Sequence, residues 1–197
     1  MKNILRDIRV SIIATIVFAI VLCVIYPLVV WGIGQLLFPF QANGSLLTNK
    51  SGDIIGSRLI GQEFTAPQYF HPRPSAAGAG YDSSTSGGTN LGPTSQKLAD
   101  AIKQNIVAYR TENNLSASST VPADAVTASA SGLDPDISLE NAQLQAPRVA
   151  SARKLNLSVV QGLIQQNIDP RGLGFLGEPG VNVLTLNIAL DSLKAAQ

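Results

Sequence analysis

The chain has 197 residues, 45% of them hydrophobic and 14% charged, with 14 basic residues against 13 acidic ones. Three of the basic residues (Lys2, Arg6, Arg9) fall in the first nine positions, so the remainder is slightly acidic. That balance offers no electrostatic footprint for nucleic acid and no polybasic lipid-binding domain. With one cysteine (Cys23) and one histidine (His71), neither an intramolecular disulfide nor a His/Cys zinc cage can be built. An oxygen-ligand metal site stays open on composition alone.

No charged side chain occurs between Arg9 and Lys50. Residues 1–9 read as a cytoplasmic N-terminus and 10–37 as a transmembrane helix. Its core, Ser11 to Val30, is about 20 residues, enough to cross a hydrocarbon layer of about 30 Å. Pro27 lies late in it and implies a kink. The basic cluster on the N-terminal side orients that end toward the cytoplasm. A cleaved signal peptide fits less well, because the apolar run is too long and no small-x-small site follows it. Cys23 follows Ile20, Val21 and Leu22, which makes a poor lipoprotein site. Tyr26, Gly32, Gly34 and Gln35 break the leucine-like character of the span. Small and polar residues of this kind let a second helix approach and hydrogen-bond, although Tyr26 and Trp31 equally suit an interfacial belt.

Residues 38–197 then form an extracytoplasmic domain. From Gln41 to about Pro93 the sequence is rich in Gly, Ser, Pro and Asn. The steps Ile54-Ile55 and Leu59-Ile60 in "GDIIGSRLIGQEF" predict a short hairpin. The long stretch "HPRPSAAGAGYDSSTSGGTNLGP" is nearly devoid of apolar residues, yet Phe64, Tyr69, Phe70 and Tyr81 punctuate this region like anchors, which predicts an ordered, partner-contacting loop. Thr94 or Ser95 caps a helix with apolar positions at Leu98, Ile102, Ile106 and Tyr109, ending near Asn113-Asn114. Ser138 caps a second helix, which Pro147 should kink or break. "LSVVQGLIQQNI" is a third, capped by Asn156 or Ser158. Val181 to Leu184 starts β-like and passes into helical spacing at Leu186, Leu190 and Leu193. The fold class is α+β, one N-terminal transmembrane helix followed by a single small mixed domain.

No motif assembles an acid, a base and a nucleophile. A Ser-His-Asp site would have to use His71, but no G-x-S-x-G elbow singles out a serine, and the setting "QYFHPRPS" is stiff. "GLGFLG" (Gly172 to Gly177) matches G-x-G-x-x-G but runs into Pro179-Gly180, where no helix starts, so it reads as a turn. "SGGTN" (Ser86 to Asn90) could form a backbone anion nest. Asp134 and Asp136 in "GLDPDIS" could attract a hard cation, or else form a helix-start turn. Gln145, near Pro147-Arg148, could read a ligand or simply be a solvated helix residue. The residues alone read as a membrane-anchored, non-catalytic extracytoplasmic domain, with a membrane-anchored periplasmic ligand-binding module or a hydrolase using His71 as the alternative.

The segments "YPLVVWGIGQLLFPFQANGSL", "GSRLIGQEFTAPQYFHPRPSA", "SGGTNLGP", "VTASASGLDPDIS", "PRVASAR" and "GEPGVNVLTLNIALD" occur in this order from Tyr26 to Asp191. Together they resemble the C subunit of the bacterial Kdp potassium-transporting ATPase over nearly the whole chain. The resemblance implies a single-pass inner-membrane subunit of an ATP-driven potassium uptake complex. Its partners would be a channel-like potassium-translocating subunit, a P-type ATPase subunit that hydrolyses ATP, and a small single-span peptide. The chain itself would be no enzyme and hold no tight cofactor, with ATP and potassium handled by the complex. Its role would be to stabilise assembly, or to act as a catalytic chaperone for ATP binding. A nucleotide contact would use Gln145 and Ser86, Gly87 and Gly88. Partner contacts would use Tyr26, Gly32, Gly34, Gln35, His71 and Arg73, with Asp134 and Asp136 drawing cations.

Overall fold

The computed structural model describes residues 2–49 and 51–194 and divides into two compact units after Leu46. The first unit is dominated by one helical run from Asn3 to Leu37, long and apolar enough to cross a membrane, with none of its most apolar window buried by protein. It comprises helix α1 (Lys2–Ile20), a π-helical turn (Val21–Ile25) and helix α2 (Tyr26–Leu37), followed by a short turn of helix, α3 (Pro39–Ala42). The π turn is how this sequence accommodates Pro27. Proline lacks an N–H and its ring crowds the carbonyl four residues back, here that of Cys23. Widening the preceding turn, with the Tyr26 N–H donating to the Val21 carbonyl, relieves that crowding without ending the helix.

The second unit begins with a two-stranded sheet, β1 (Leu46–Thr48) and β2 (Ile54–Ser57). The expected hairpin is therefore displaced: Ile54-Ile55 is a strand, but its partner lies upstream. Leu59-Ile60 falls in a turn, where the Ser57 hydroxyl accepts from the Leu59 N–H and the Ser57 carbonyl from that of Ile60. Asn49 sets the β1–β2 turn, its side-chain oxygen accepting from the N–H groups of Ser51 and Asp53.

Residues 58–95 contain no regular helix or strand. They are ordered nonetheless, because their polar groups are paired across the fold. Gly61 donates to the Leu133 carbonyl and Gly87 to that of Ser131. The Ser75 hydroxyl donates to the Gly132 carbonyl at 2.6 Å. Gly132 itself has a φ of +68°, and a Cβ there would lie 2.7 Å from the Ala77 nitrogen and the Gly87 oxygen, so the close approach of the two loops requires glycine.

The predicted helices follow. α4 (Gln96–Glu112) is capped by Ser95, which accepts from the Leu98 N–H. α5 (Leu139–Arg153) is capped by Ser138 and continues through Pro147. The expected break does not form: the helix runs on across the proline, with four buried residues before it and three after it on the packed face. Tertiary packing outweighs the one lost hydrogen bond. α6 (Leu157–Gln166) is capped by Asn156. β5 (Gly180–Asn182) lies between β3 (Asp136–Ser138) and β4 (Ile168–Asp169) in an antiparallel sheet, with Val181 opposite both Ile137 and Ile168. It passes directly into α7 (Val183–Lys194), where the Asn182 side chain accepts from the Thr185 N–H. This matches the change from β-like to helical spacing.

Ile137, Val149, Val160, Ile164, Leu186 and Leu190 form the centre of the core, joined by one loop residue, Phe70, which is fully buried. Asn187 holds it there: its amide oxygen accepts from the Phe70 N–H (2.9 Å) and its amide nitrogen donates to the Phe70 carbonyl (3.0 Å). Phe70 is thus an apolar anchor whose backbone is paired as in a strand, and Phe70→Ala is expected to cost about 3–5 kcal/mol. Urea unfolding of the full chain in detergent measures this, and a loss below about 1 kcal/mol would mean that the loop does not depend on its anchor.

Candidate functional site

Three of the candidates drawn from the sequence, His71, Arg73 and Gln145, come together around the 61–76 loop. Along α5, Asn141, Gln145 and Arg148 are spaced at i, i+4 and i+7, so they share one helix face. All three are buried. The Gln145 side chain pairs with the His71 backbone: its Oε1 accepts from the His71 N–H (2.7 Å) and its Nε2 donates to the His71 carbonyl (3.0 Å). The same amide donates to Asn141 Oδ1 (2.8 Å) and accepts from Arg148 Nη2 (2.7 Å). Arg148 donates further to the Pro67 and Tyr69 carbonyls and, through Nε, to Asn113 Oδ1 at the end of α4. Burial pulls its guanidinium below the ordinary arginine range, while the charge of Glu112 pushes the other way.

Beyond Gln145 the network continues to Asn141. The Tyr109 hydroxyl donates to Asn141 Oδ1 at 2.8 Å, and Asn141 donates to Asp124, whose carboxylate also accepts from the Ser138 N–H and hydroxyl. Burial, reinforced by the Asp124 charge, raises the Tyr109 phenol well above its ordinary value, keeping it a neutral donor.

The His71 ring faces acceptors on both sides. Nδ1 lies 2.5 Å from Glu112 Oε1, and Nε2 lies 3.0 Å from the Ala66 carbonyl oxygen. The ring's other neighbour is the Arg148 guanidinium, 3.5 Å from Nε2. Among the described residues, then, the ring meets a carboxylate, a carbonyl and a guanidinium, and no hydroxyl or thiol for it to activate. Arg73 pairs with Asp134 at 2.8 Å, and the Tyr81 hydroxyl donates to the Arg73 carbonyl. His71, Arg73 and Gln145 line an open cavity of about 320 Å³, together with Phe64, Tyr81, Asn105 and Glu112.

The other sequence candidates lie elsewhere. Ser86, Gly87 and Gly88 do not line this cavity; they lie on residues 130 and 131, with the Ser86 hydroxyl donating to the Ser131 carbonyl. Asp134 is engaged by Arg73 and also accepts from the Asp136 N–H. Asp136 accepts from Asn182, but burial dominates and raises its carboxyl above the usual range. On α2, a helix turns by about 100° per residue, so Tyr26 and Gln35 point to opposite sides and Gly32 and Gly34 do not face together. Gln35 accepts from the Asn43 side chain, and a Cβ on Gly32 would meet nothing within 4 Å.

Glu112, Asn113, Asp124 and Asn141 are members of this network that the sequence did not single out. Only Asn141 carried a signal, as a polar residue recurring with Gln145 and Arg148 on the face of α5 that otherwise has small buried side chains.

A family model described as the c chain of the K+-transporting ATPase, KdpC, matches residues 8–192. The chain belongs to the KdpC family. Among KdpC relatives, a protein of Mycobacterium tuberculosis (strain H37Rv) named potassium-transporting ATPase KdpC subunit is 58% identical over 178 residues, 90% of this chain and 94% of the relative. Proteins of the same name from Caulobacter vibrioides (strain NA1000) and Koribacter versatilis are 50% and 47% identical, covering 95% and 96% of this chain and 94% and 96% of their own lengths.

Two outcomes follow from this KdpC geometry. Replacing Gln145 with Leu leaves the His71 backbone and an Arg148 donor unpaired, and is expected to destabilise the chain by about 2–4 kcal/mol in urea unfolding. A solvated, ligand-reading glutamine would give a change within about 0.5 kcal/mol. The hydrogen bond from His71 holds the Glu112 carboxyl below the usual range, against a smaller opposing effect of burial. A folded value below the unfolded one stabilises above about pH 4.3 and is lost as pH falls through the folded value. The stability gap between the wild type and Glu112→Gln is therefore expected to shrink as the pH is lowered from about 6 to about 3. A gap that stays constant or widens over that range would contradict the pairing.

Proposed function

We propose that this chain is the non-catalytic, single-pass subunit of an ATP-driven potassium uptake complex. In this reading its span crosses the inner membrane with the N-terminus in the cytoplasm and the second unit outside. It stabilises the association of the channel-like potassium-translocating subunit with the P-type ATPase subunit, alongside the small single-span peptide. The observation that carries the reading is the match to the KdpC family over almost the whole chain, in which the relatives are named as subunits of a potassium-transporting ATPase.

The structural detail supports an assembly role. The loop that holds His71 and Arg73 is stiffened from inside by Gln145 and Arg148, which leaves its outer surface pre-shaped for contact at little entropic cost. A direct nucleotide contact by Gln145 would have to replace hydrogen bonds that hold this loop. An outside unit is also separated from cytosolic ATP by the membrane. Any influence on ATP affinity then travels through the span and partner subunits as coupling between distant sites.

Affinity purification of the full chain from detergent tests the reading. A P-type ATPase chain and a potassium channel-like chain should co-purify. Gly32 has open space around it, so Gly32→Leu should leave the isolated chain as stable as before. In the complex it should lower partner recovery several-fold, because a close helix contact tolerates no added bulk. Full recovery with Gly32→Leu would remove Gly32 from the interface, and absence of both partners from the wild-type preparation would overturn the function.

A further inference from the structure

The turn from Arg171 to Glu178 combines rigidity with exposed apolar side chains. Leu173 is 85% exposed, Phe175 70% and Leu176 53%. The backbone beneath them is closed by hydrogen bonds between Gly172 and Leu176 in both directions (2.9 and 2.8 Å), and from Gly174 to the Arg171 carbonyl. Leu173 itself is in the left-handed region, at φ +51°. A large side chain held in an unfavoured conformation and projected into solvent is a cost with no return inside the unit. An ion pair closes the neck, Arg171 Nη2 to Glu178 Oε2 at 2.6 Å.

The base of this turn is tied to the segment by which the chain enters the unit. Asp169 pairs with Arg58 at the end of β2, and Asn182 donates to the Arg58 carbonyl. Arg58, Asp169, Arg171 and Glu178 cancel in charge, so nothing at this end repels a bilayer of either surface charge. Only residues 38–46 separate the end of the α2 helix from the unit, a tether that cannot exceed about 30 Å even when extended.

We propose that the Leu173–Leu176 tip inserts into the interfacial region of the lipid bilayer in which the chain is anchored. Three apolar side chains are too few to hold a free protein on a membrane. Here the span supplies the first attachment and raises the local concentration of lipid, and the tip is the second. Between Arg171 and Glu178 no side chain carries a hydrogen-bonding group, so inserting these side chains desolvates none, while the open backbone groups of the turn stay within reach of headgroups and water in the interfacial region. The inference rests on the membrane-anchored reading given above.

Site-directed spin labelling of the full chain in phosphatidylcholine–phosphatidylglycerol vesicles tests it. With Cys23→Ser as background, single labels are placed by L173C or F175C at the tip, V107C on exposed α4 and L28C in the span. Accessibility to oxygen is compared with accessibility to a water-soluble nickel chelate. The tip labels should favour oxygen over nickel several-fold more than the V107C label, approaching the L28C label. Tip labels that behave like the V107C label overturn insertion. Protection of both tip positions from both reagents also overturns it, in favour of burial against protein. A nickel-accessible L28C label brings down the anchor and the proposal with it, whereas a normal L28C label beside a wet tip brings down the proposal alone.

Discussion

A single buried guanidinium organises the second unit. Arg148 ends in four acceptors: the Pro67 and Tyr69 carbonyls, the Gln145 amide and the Asn113 side chain. The two carbonyls lie in the irregular loop, Gln145 on helix α5 and Asn113 at the end of helix α4, so one side chain ties these three parts together. None of the four is charged. The compensating carboxylate is Glu112, reached through its field and through His71. Removing any one acceptor would leave a buried donor of a charged group unpaired, the most costly kind of loss in such a network. The arrangement therefore works as a unit, and its members are expected to couple strongly in any double-mutant comparison.

This constraint explains why a stretch of nearly forty residues without helix or strand holds a fixed shape. A loop of that length has no ladder of its own to satisfy its backbone, so each N–H and carbonyl that is not in water needs a partner elsewhere. Asn187 supplies both partners for Phe70, and Gln145 supplies both for His71. Two side-chain amides thus take the place of a neighbouring strand. The prolines of "QYFHPRPS" contribute by having no N–H to satisfy and by restricting the unfolded chain. The lone histidine is held by its backbone first, and its ring then completes the junction with Glu112.

Much of this was legible in the sequence, for identifiable reasons. The span announced itself by forty residues without charge, and the helices by their caps: Ser95, Ser138 and Asn156 each accept from the first turn. The switch from strand to helix at Val183 was visible as a change of period. The misplaced hairpin has an equally specific cause. Leu59-Ile60 has the composition of a strand, but the better partner for Ile54-Ile55 lies across the Asn49 turn, and short apolar steps carry no information about pairing. Of the kink or break that Pro147 implied, the break is absent because the rule against helical proline is local, while α5 is held by packing along its buried face. The polar network was hidden for a related reason: asparagine and glutamine on a helix look solvated until the loop that covers them is in place.

The division of the chain into an anchor and a network-built unit bears on how such a subunit could act. A unit whose loop is fixed by buried polar groups changes shape only by breaking several bonds together, so it behaves as a rigid body, not a hinge. Rigid bodies transmit through their attachments. In the proposed subunit those attachments would be the apolar helical run, with its π turn before Pro27, and the surfaces of the second unit that meet partners. A π turn is a place where a helix can change register at low cost, because one hydrogen-bond step is already widened.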